Sequence, residues 1–156
     1  MKKLVLLTIL FSLSVSTYTC AQIKETQKEK FQITYKSSKA IVETQHYNFV
    51  GEMVYNNKKR EKLSNDSNTV SINKSEISGK VISLQSENKS FGLNGAIENY
   101  KASFDDDKQN IRIQFNVKTT SRNIEVFIDI KPNGNAFLTV SSGNFNTISW
   151  TGKIKS

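Results

Sequence analysis

A chain of 156 residues of which 37% are hydrophobic is long enough to bury a core in a single domain. Its one cysteine excludes an intrachain disulfide, and its one histidine excludes multi-histidine zinc sites. The formal net charge of +8 favours an anionic partner. Because the chain begins like an exported protein, lipid headgroups or phosphorylated glycans fit that charge better than nucleic acid does.

Residues 1–21 have the features of a secretory signal peptide. Lys2 and Lys3 precede an apolar run from Leu4 to about Val15, and small or polar residues follow it. The run is too short to span a bilayer, which needs roughly 20 apolar residues, and no later run is longer. The sequence therefore predicts an exported protein, periplasmic or extracellular, without a transmembrane helix in the mature chain.

Cys20 leaves two forms of the mature chain open. Small residues flank it, so cleavage before Gln22 would discard the cysteine and release the protein. Alternatively, Cys20 becomes the acylated first residue of a lipoprotein that is anchored to the outer membrane. The three residues before it lack the leucine and the very small side chains of a usual lipobox.

Residues 22–39 are predicted to form a polar tether and the start of an N-terminal helix, and residues 40–156 a single β-rich domain. The helix is amphipathic because residues near three-and-four spacing share one face. These are Phe31, Tyr35, Ser38 and Val42. The β-rich part contains neither an internal repeat nor a linker that would divide it.

The middle of the chain alternates between predicted strands and loops. The strand YNFVGEMVY has one face formed by alternate residues, which are Tyr47, Phe49, Gly51, Met53 and Tyr55. A bulge or bend is predicted at Gly51. The charged span 56–68 is predicted to be a loop or hairpin tip, and the span 88–96, with two glycines and two asparagines, another loop. TVSIN, GKVISLQS and IENYKASF are predicted strands.

The last third carries the strongest strand pattern. NIRIQFNVK and NIEVFIDI alternate apolar and polar residues with a period of two, as half-buried strands do. KPNG suits a tight reversal between NIEVFIDI and NAFLTVS, and TISWTGKI completes an antiparallel meander. Seven or eight strands joined by short turns predict a mainly β fold, closing as an up-and-down barrel or packing as a two-layer sandwich.

The segment IEVFIDIKPNGNAFLTVSSGNFNTISWTGKI resembles the close of a family of secreted proteins known mainly from Bacteroidetes, domain of unknown function 4251. Upstream, YNFVGEM and GLNGAIENYKASF follow the order of the same family, so the resemblance covers about residues 40–154. GKVISLQ departs from it by lacking a proline. The resemblance implies a small, lipocalin-like envelope domain with no established activity. Family members are often lipoproteins, which adds support to acylation of Cys20 as the alternative to free export.

Four aromatic residues are the predicted contacts for a ligand or partner. Phe127 and Phe137 lie opposite the main apolar face of their strands, so a second surface of the sheet is predicted to be covered by the helix or by a partner. With Tyr100 and Trp150 they are predicted to line a cavity for an apolar ligand, as barrels of about eight strands can hold one small molecule. The alternative is that they fill the core.

The remaining candidate residues have simpler interpretations. His46 is predicted to lie at the surface or at a strand end, and Asp105–Asp107 in a hairpin turn rather than in a calcium site, because their spacing is not that of an EF-hand. The densest basic cluster either attracts an anionic surface or keeps a loop soluble. It consists of Lys58, Lys59, Arg60 and Lys62.

The sequence thus predicts a non-enzymatic envelope protein that binds a small hydrophobic or amphipathic ligand in a β-barrel, without cofactor or metal. The alternative is a structural or protein-interaction module of the envelope, which would use the basic loop or the face of Phe127 and Phe137. A hydrolase that pairs Asp105 with Glu98 or Asp129 is disfavoured, because acid–base catalysis needs a positioned pair with separated pKa values.

Overall fold

The computed structural model describes residues 26–55, 59–63, 68–82, 90–120, 123–143 and 145–156. Cys20, Lys58 and the predicted leader lie outside these residues. Within them the chain forms one helix and ten strands. The elements are α1 (Gln27–Thr44), β1 (His46–Tyr55), β2 (Arg60–Lys62), β3 (Thr69–Asn73), β4 (Glu76–Ile82), β5 (Ser90–Gly92), β6 (Gly95–Asp105), β7 (Asn110–Lys118), β8 (Asn123–Ile130), β9 (Ala136–Ser142) and β10 (Phe145–Lys155).

The strands form one closed antiparallel barrel. β1 pairs with β10, with Phe49 opposite Ile154, so the first and last strands join the sheet into a ring. β2 and β3 pair with successive parts of β1, and β5 and β6 with different parts of β4. Because β2 and β3 share one position beside β1, and β5 and β6 share one position beside β4, the ten strands form a barrel with eight strand positions. The predicted mainly β fold is confirmed, and of its two predicted forms the barrel is the one observed.

Alternating apolar side chains fill the barrel interior. The predicted alternation in β7 and β8 is confirmed, with Ile113 and Ile128 on the buried face and Arg112 and Glu125 on the other face. The largest interior side chains are less than 2% exposed. They include Trp150, Phe49, Phe115, Ile72, Leu93 and Leu138. Burial of these side chains away from water is the main force that stabilises the fold.

Helix α1 covers one end of the barrel. It begins with a capping box, in which the backbone N–H of Glu29 donates to the Thr26 hydroxyl and the Glu29 carboxylate accepts from the Thr26 backbone. Its buried face contains Tyr35, Ser38 and Val42, as predicted from their spacing, while Phe31, the fourth residue of the predicted face, is half-buried. Because Tyr35 bonds to the β6–β7 turn, α1 lies at the barrel end where that turn is found. No helix in the described ranges is long and apolar enough to cross a membrane.

A bulge in β1 changes which side chains face inward. The pairing of β1 with β10 shifts by one residue between Gly51 and Met53. Val54 therefore points into the core, while Met53 and Tyr55 are only half-buried on the outer side. The predicted bulge is confirmed, but the prediction that Met53 and Tyr55 share the face of Phe49 is wrong, because one inserted residue reverses the alternation.

Two predicted loops contain short strands. β2 lies within the span 56–68, and β5 and the start of β6 lie within 88–96. All three residues of β2 are exposed, so they show no apolar alternation that could have indicated a strand. Buried residues just after these strands, Leu63 and Leu93, attach them to the core, and the N–H of Leu93 donates to the carbonyl of Gly79.

Candidate functional site

Trp150 and Tyr100, two of the predicted contact residues, belong to the barrel interior. Trp150 is fully buried, and its indole Nε1–H donates to the carbonyl oxygen of Ile82 at 2.5 Å. Tyr100 is half-buried with its ring stacked on Phe115, and its hydroxyl lies 3.2 Å from that of Tyr47. Burial raises the pKa of both tyrosines, so the pair is uncharged in neutral solution.

The other two predicted contact residues, Phe127 and Phe137, lie on the outer surface of the barrel. Phe127 pairs with Thr139, and Asp129 pairs with Phe137, so the two rings are diagonal neighbours on adjacent strands. Phe127 is 38% exposed and Phe137 is half-buried. The exposed ring of Phe127 is thus not covered by α1. The four aromatic residues therefore lie on opposite sides of the wall and do not share one cavity, although Tyr100 and Phe127 both border a groove outside β6, β7 and β8.

The outer surface carries two rows of side chains that follow the strand register. The first row crosses the wall through directly opposed residues, which are Lys101, Gln114, Phe127, Thr139, Ser149 and Tyr55. The second row runs beside it through Ser103, Arg112, Asp129, Phe137, Thr151 and Met53. Opposed residues in an antiparallel sheet have Cβ atoms about 5 Å apart, so each row is a continuous set of neighbours.

The first groove, which we call the cationic groove, lies outside β1, β2, β9 and β10. Its volume is about 740 Å³, and its lining consists of Glu52, Met53, Tyr55, Lys59, Arg60, Asn135, Phe137 and Thr151. The side chain of Arg60 is held against the apolar floor, because its Nε–H donates to the sulfur of Met53 at 2.6 Å. Lys62 pairs directly with Met53 from the neighbouring strand. An apolar floor therefore adjoins two basic side chains of the lining, Lys59 and Arg60, and one acidic side chain, Glu52.

The second groove, which we call the Phe127 groove, lies outside β6, β7 and β8. Its volume is about 930 Å³, and the outward side chains that line it are Lys101, Ser103, Arg112, Gln114, Phe127 and Asp129. Asp129 accepts a hydrogen bond from Asn110 and forms an ion pair with Lys131. The amide of Gln114 donates to Glu125 at 3.0 Å.

Comparison with known proteins identifies the family. A family model described as "Domain of unknown function (DUF4251)" matches residues 25–154. The chain belongs to the DUF4251 family. A crystal structure of a DUF4251 family protein from Bacteroides eggerthii, at 1.95 Å resolution, is similar with a TM-score of 0.67. The alignment covers 82% of this chain and 91% of that chain at 18% identity, so the likeness concerns the fold alone. No curated protein shows a significant sequence match.

The acidic cluster of this DUF4251 protein is engaged in the turn that contacts α1. The carboxylate of Asp106 accepts from the Tyr35 hydroxyl at 2.7 Å and from Lys39 at 3.0 Å, and these bonds lower its pKa. Burial, followed by the bond to Asp106, raises the pKa of Tyr35 to about 12. Asp105 accepts from the backbone N–H of Lys108 at 2.9 Å. The described residues contain no group of three or more His, Cys, Asp or Glu side chains that could hold a metal.

Among the other predicted candidates, Lys59 and Arg60 line the cationic groove, whereas His46 lies outside both grooves. His46 is exposed at the start of β1, as predicted. Of the basic cluster, Arg60 and Lys62 lie in β2 and Lys59 lies just before it.

The sequence did not indicate Met53 and Tyr55 as outer residues of the DUF4251 barrel. The signal that could have done so was the predicted bulge at Gly51, since one inserted residue reverses the faces beyond it.

Proposed function

We propose that this DUF4251 protein is an exported, non-enzymatic envelope protein that binds an amphipathic anion in the cationic groove. The observation that carries the proposal is the juxtaposition of an apolar floor with basic side chains. Met53, Tyr55 and Phe137 supply the floor, and Arg60 lies directly against it. A hydrocarbon tail on this floor leaves its anionic head beside the cations.

The outer surface is a better location for the ligand than the barrel interior that the sequence predicted. Trp150, Phe49 and Phe115, three large aromatic side chains of the interior, are at most 1% exposed and occupy the space that a ligand would need. Packed interiors resist an added group, because even one extra methylene forces side chains off their preferred rotamers. The grooves on the outer wall require no such rearrangement.

The two parts of the cationic groove would contribute differently to binding. Removing apolar surface from water is worth about 25 cal/mol per Å², so the tail should supply most of the affinity. Exposed ion pairs contribute roughly 0–1 kcal/mol and are screened by salt. Arg60 and its neighbours should therefore select an anionic head over a neutral one rather than determine whether the tail binds.

The leader supports the proposed export. Two lysines precede an apolar run that is too short for a membrane span, which is the pattern of a cleaved signal peptide. Mass spectrometry of the mature N-terminus tests this proposal. A first residue of Gln22 means free export, an acylated Cys20 means a lipid anchor, and an intact Met1 in the cell envelope fraction would contradict processing.

The proposed absence of catalysis rests on how the ionisable side chains are placed. The carboxylate of Asp106 is occupied by two hydrogen bonds that join it to α1, and Asp129 by an ion pair with Lys131. His46 is exposed at the start of a strand. A hydrolase would need an acid and a base positioned around one bond, and of these groups only Asp129 lines either groove.

Calorimetric titration of the mature protein tests ligand binding. Dodecyl phosphate, kept below its micelle concentration, should bind more tightly than the uncharged dodecyl maltoside. Arg60→Gln should weaken binding of dodecyl phosphate only, whereas Phe137→Ser should weaken binding of both amphiphiles. Arg112→Gln, in the Phe127 groove, is the matched control and should change neither. The proposal would be refuted if neither amphiphile binds. It would also be refuted if the two bind with equal affinity.

The alternative function, a structural or protein-interaction module, makes a different prediction. Crosslinking in intact cells should then recover one stoichiometric protein partner. Phe137→Ser should abolish that crosslink, while dodecyl phosphate should show no affinity for the purified protein. Because the two functions predict opposite results in the titration, a single preparation of the mature protein separates them.

A further inference from the structure

We infer that the Phe127 groove binds an acidic sugar, a hexuronate unit of a glycan, on the outer face of β6, β7 and β8. This groove lies on strands other than those of the cationic groove, so the inference does not depend on the amphipathic ligand proposed above. It rests on the register of the three strands, on two cations that have no charged partner among the described residues and on the exposure of one aromatic ring.

The strand register gathers four kinds of recognition group within the span of one ligand. Gln114 lies directly opposite both Lys101 and Phe127, and Arg112 lies opposite Ser103. Opposed Cβ atoms are about 5 Å apart and diagonal ones about 7 Å apart, so the long side chains can reach a common ligand. The groove volume of about 930 Å³ falls within the range of small-molecule sites.

The charges of this groove favour an anion. Asp129, the one acidic side chain in the lining of this groove, pairs with Lys131, and Glu125 beside the groove accepts from Gln114. Arg112 and Lys101, in contrast, form no ion pair or side-chain hydrogen bond within the part of the chain that the structure describes. A guanidinium can bind a carboxylate through two parallel hydrogen bonds, which gives it a preference for this group.

The exposed ring of Phe127 indicates which class of anion fits this groove. In the described chain it is one of only two large hydrophobic side chains that are exposed, and 38% of its surface is accessible to solvent. The C–H face of a pyranose ring packs against such a ring, while its hydroxyl groups can bond to Gln114 and Ser103. A small carboxylate would leave Phe127 unused, and a neutral sugar would leave Arg112 unused. A sugar that bears a carboxylate uses both.

Titration of the mature protein with trigalacturonate, followed by calorimetry, tests the inference. The acid should bind more tightly than its methyl ester, in which the carboxylates are neutralised. Phe127→Ser and Arg112→Gln should each weaken binding about tenfold, which corresponds to one aromatic or charge-assisted contact. Raising the NaCl concentration from about 0.05 M to about 0.5 M should weaken binding of the acid but not of the ester.

Matched variants in the other groove complete the test. Phe137→Ser and Arg60→Gln should leave trigalacturonate binding unchanged, and both Phe127 groove variants should keep the wild-type unfolding temperature because their side chains are exposed. The inference is overturned if trigalacturonate does not bind, if it binds the Arg112→Gln variant as well as the wild type, or if acetate competes equally. Weaker dodecyl phosphate binding in Arg60→Gln, with trigalacturonate binding unchanged, would show that the two sites are independent.

Discussion

Tyr35 in the middle of helix α1 donates its hydroxyl hydrogen to the carboxylate of Asp106, in the β6–β7 turn, at 2.7 Å. Lys39, one turn further along the helix, donates to the same oxygen and lies 5.0 Å from the centre of the Phe104 ring. Gln109 at the end of the turn donates to Gln32. Polar contacts with one hairpin thus act together with the burial of Tyr35 and Val42 to hold the cover at this end of the barrel.

We expect the contribution of Asp106 to stability to disappear in acid. The hydrogen bonds from Tyr35 and Lys39 lower its pKa from the ordinary value of 3.8. Below pH 3.8 the unfolded chain therefore binds a proton before the folded chain does, so stability falls as the pH falls through this window. The unfolding temperature of Asp106→Asn should be lower than that of the wild type near pH 7, and the difference should shrink toward about pH 2.

Asp107→Asn is the control for that measurement. Asp107 is exposed in the same turn and forms no hydrogen bond or ion pair with the rest of the described chain. Its substitution should leave the dependence of the unfolding temperature on pH unchanged. If the unfolding temperatures of Asp106→Asn and the wild type differ by the same amount at every pH, the charge of Asp106 does not hold the turn against α1.

We expect Thr26→Ala to destabilise the start of α1. The hydroxyl of Thr26 accepts from the backbone N–H of Glu29, and the Glu29 carboxylate accepts in return, so the substitution removes half of the capping box. Loss of such a cap typically costs about 1 kcal/mol. Chemical unfolding followed by circular dichroism measures this change. Thr26→Ser keeps the accepting oxygen and should remain within a few tenths of a kcal/mol of the wild type.

We expect Gly152→Ala to prevent correct closure of the barrel. A methyl group at Gly152 would overlap the carbonyl oxygen of Val50 and would lie 3.0 Å from the Cα of Gly51. These backbone atoms belong to the β1–β10 pairing and cannot move without breaking it, so the cost should be about 3 kcal/mol or more. Gly143→Ala is the matched control, because nothing lies within 4 Å of its added methyl group. Equal unfolding temperatures for the two variants would contradict this account.

We expect Trp150→Phe to lower the free energy of unfolding by about 2 kcal/mol. The substitution leaves a void in a fully packed interior and removes the donor to the Ile82 carbonyl. Unfolding in urea, followed by circular dichroism because this is the sole tryptophan, measures the change. Ser103→Ala on the outer wall should cost less than about 0.5 kcal/mol. A small effect of Trp150→Phe would mean that the interior can collapse around the missing atoms.

The strands that could be predicted from the sequence are those whose pattern is local and uninterrupted. In β7 and β8 every second residue is apolar, so Ile113 and Phe127 could be assigned to opposite faces without a structure. In β1 the pattern is broken by the bulge after Gly51, and the assignment of Met53 failed from that point onward. β2 has no apolar alternation at all, so only its pairing with β1 identifies it as a strand.

The grooves could be predicted only in part for the same reason. The outward position of Phe127 and Phe137 follows from the alternation along their own strands. The placement of Arg112 near Phe127, or of Arg60 over Met53, depends on which strands are neighbours and in which register. Register is determined by the whole sheet, because a slip of one residue would turn each side chain to the other face. A single sequence does not contain this information in local form.

The pairing of Phe49 with Ile154 has a consequence for how the molecule acquires its shape. Two segments near opposite ends of the described chain must meet before the ladder of hydrogen bonds between β1 and β10 can form, and the entropy lost in closing so long a loop opposes this step. The hairpins between β6 and β9 can assemble early because their partners are adjacent in sequence. Ring closure should therefore be the slow final event of folding, and a chain halted before it would present two unpaired β-edges to its neighbours.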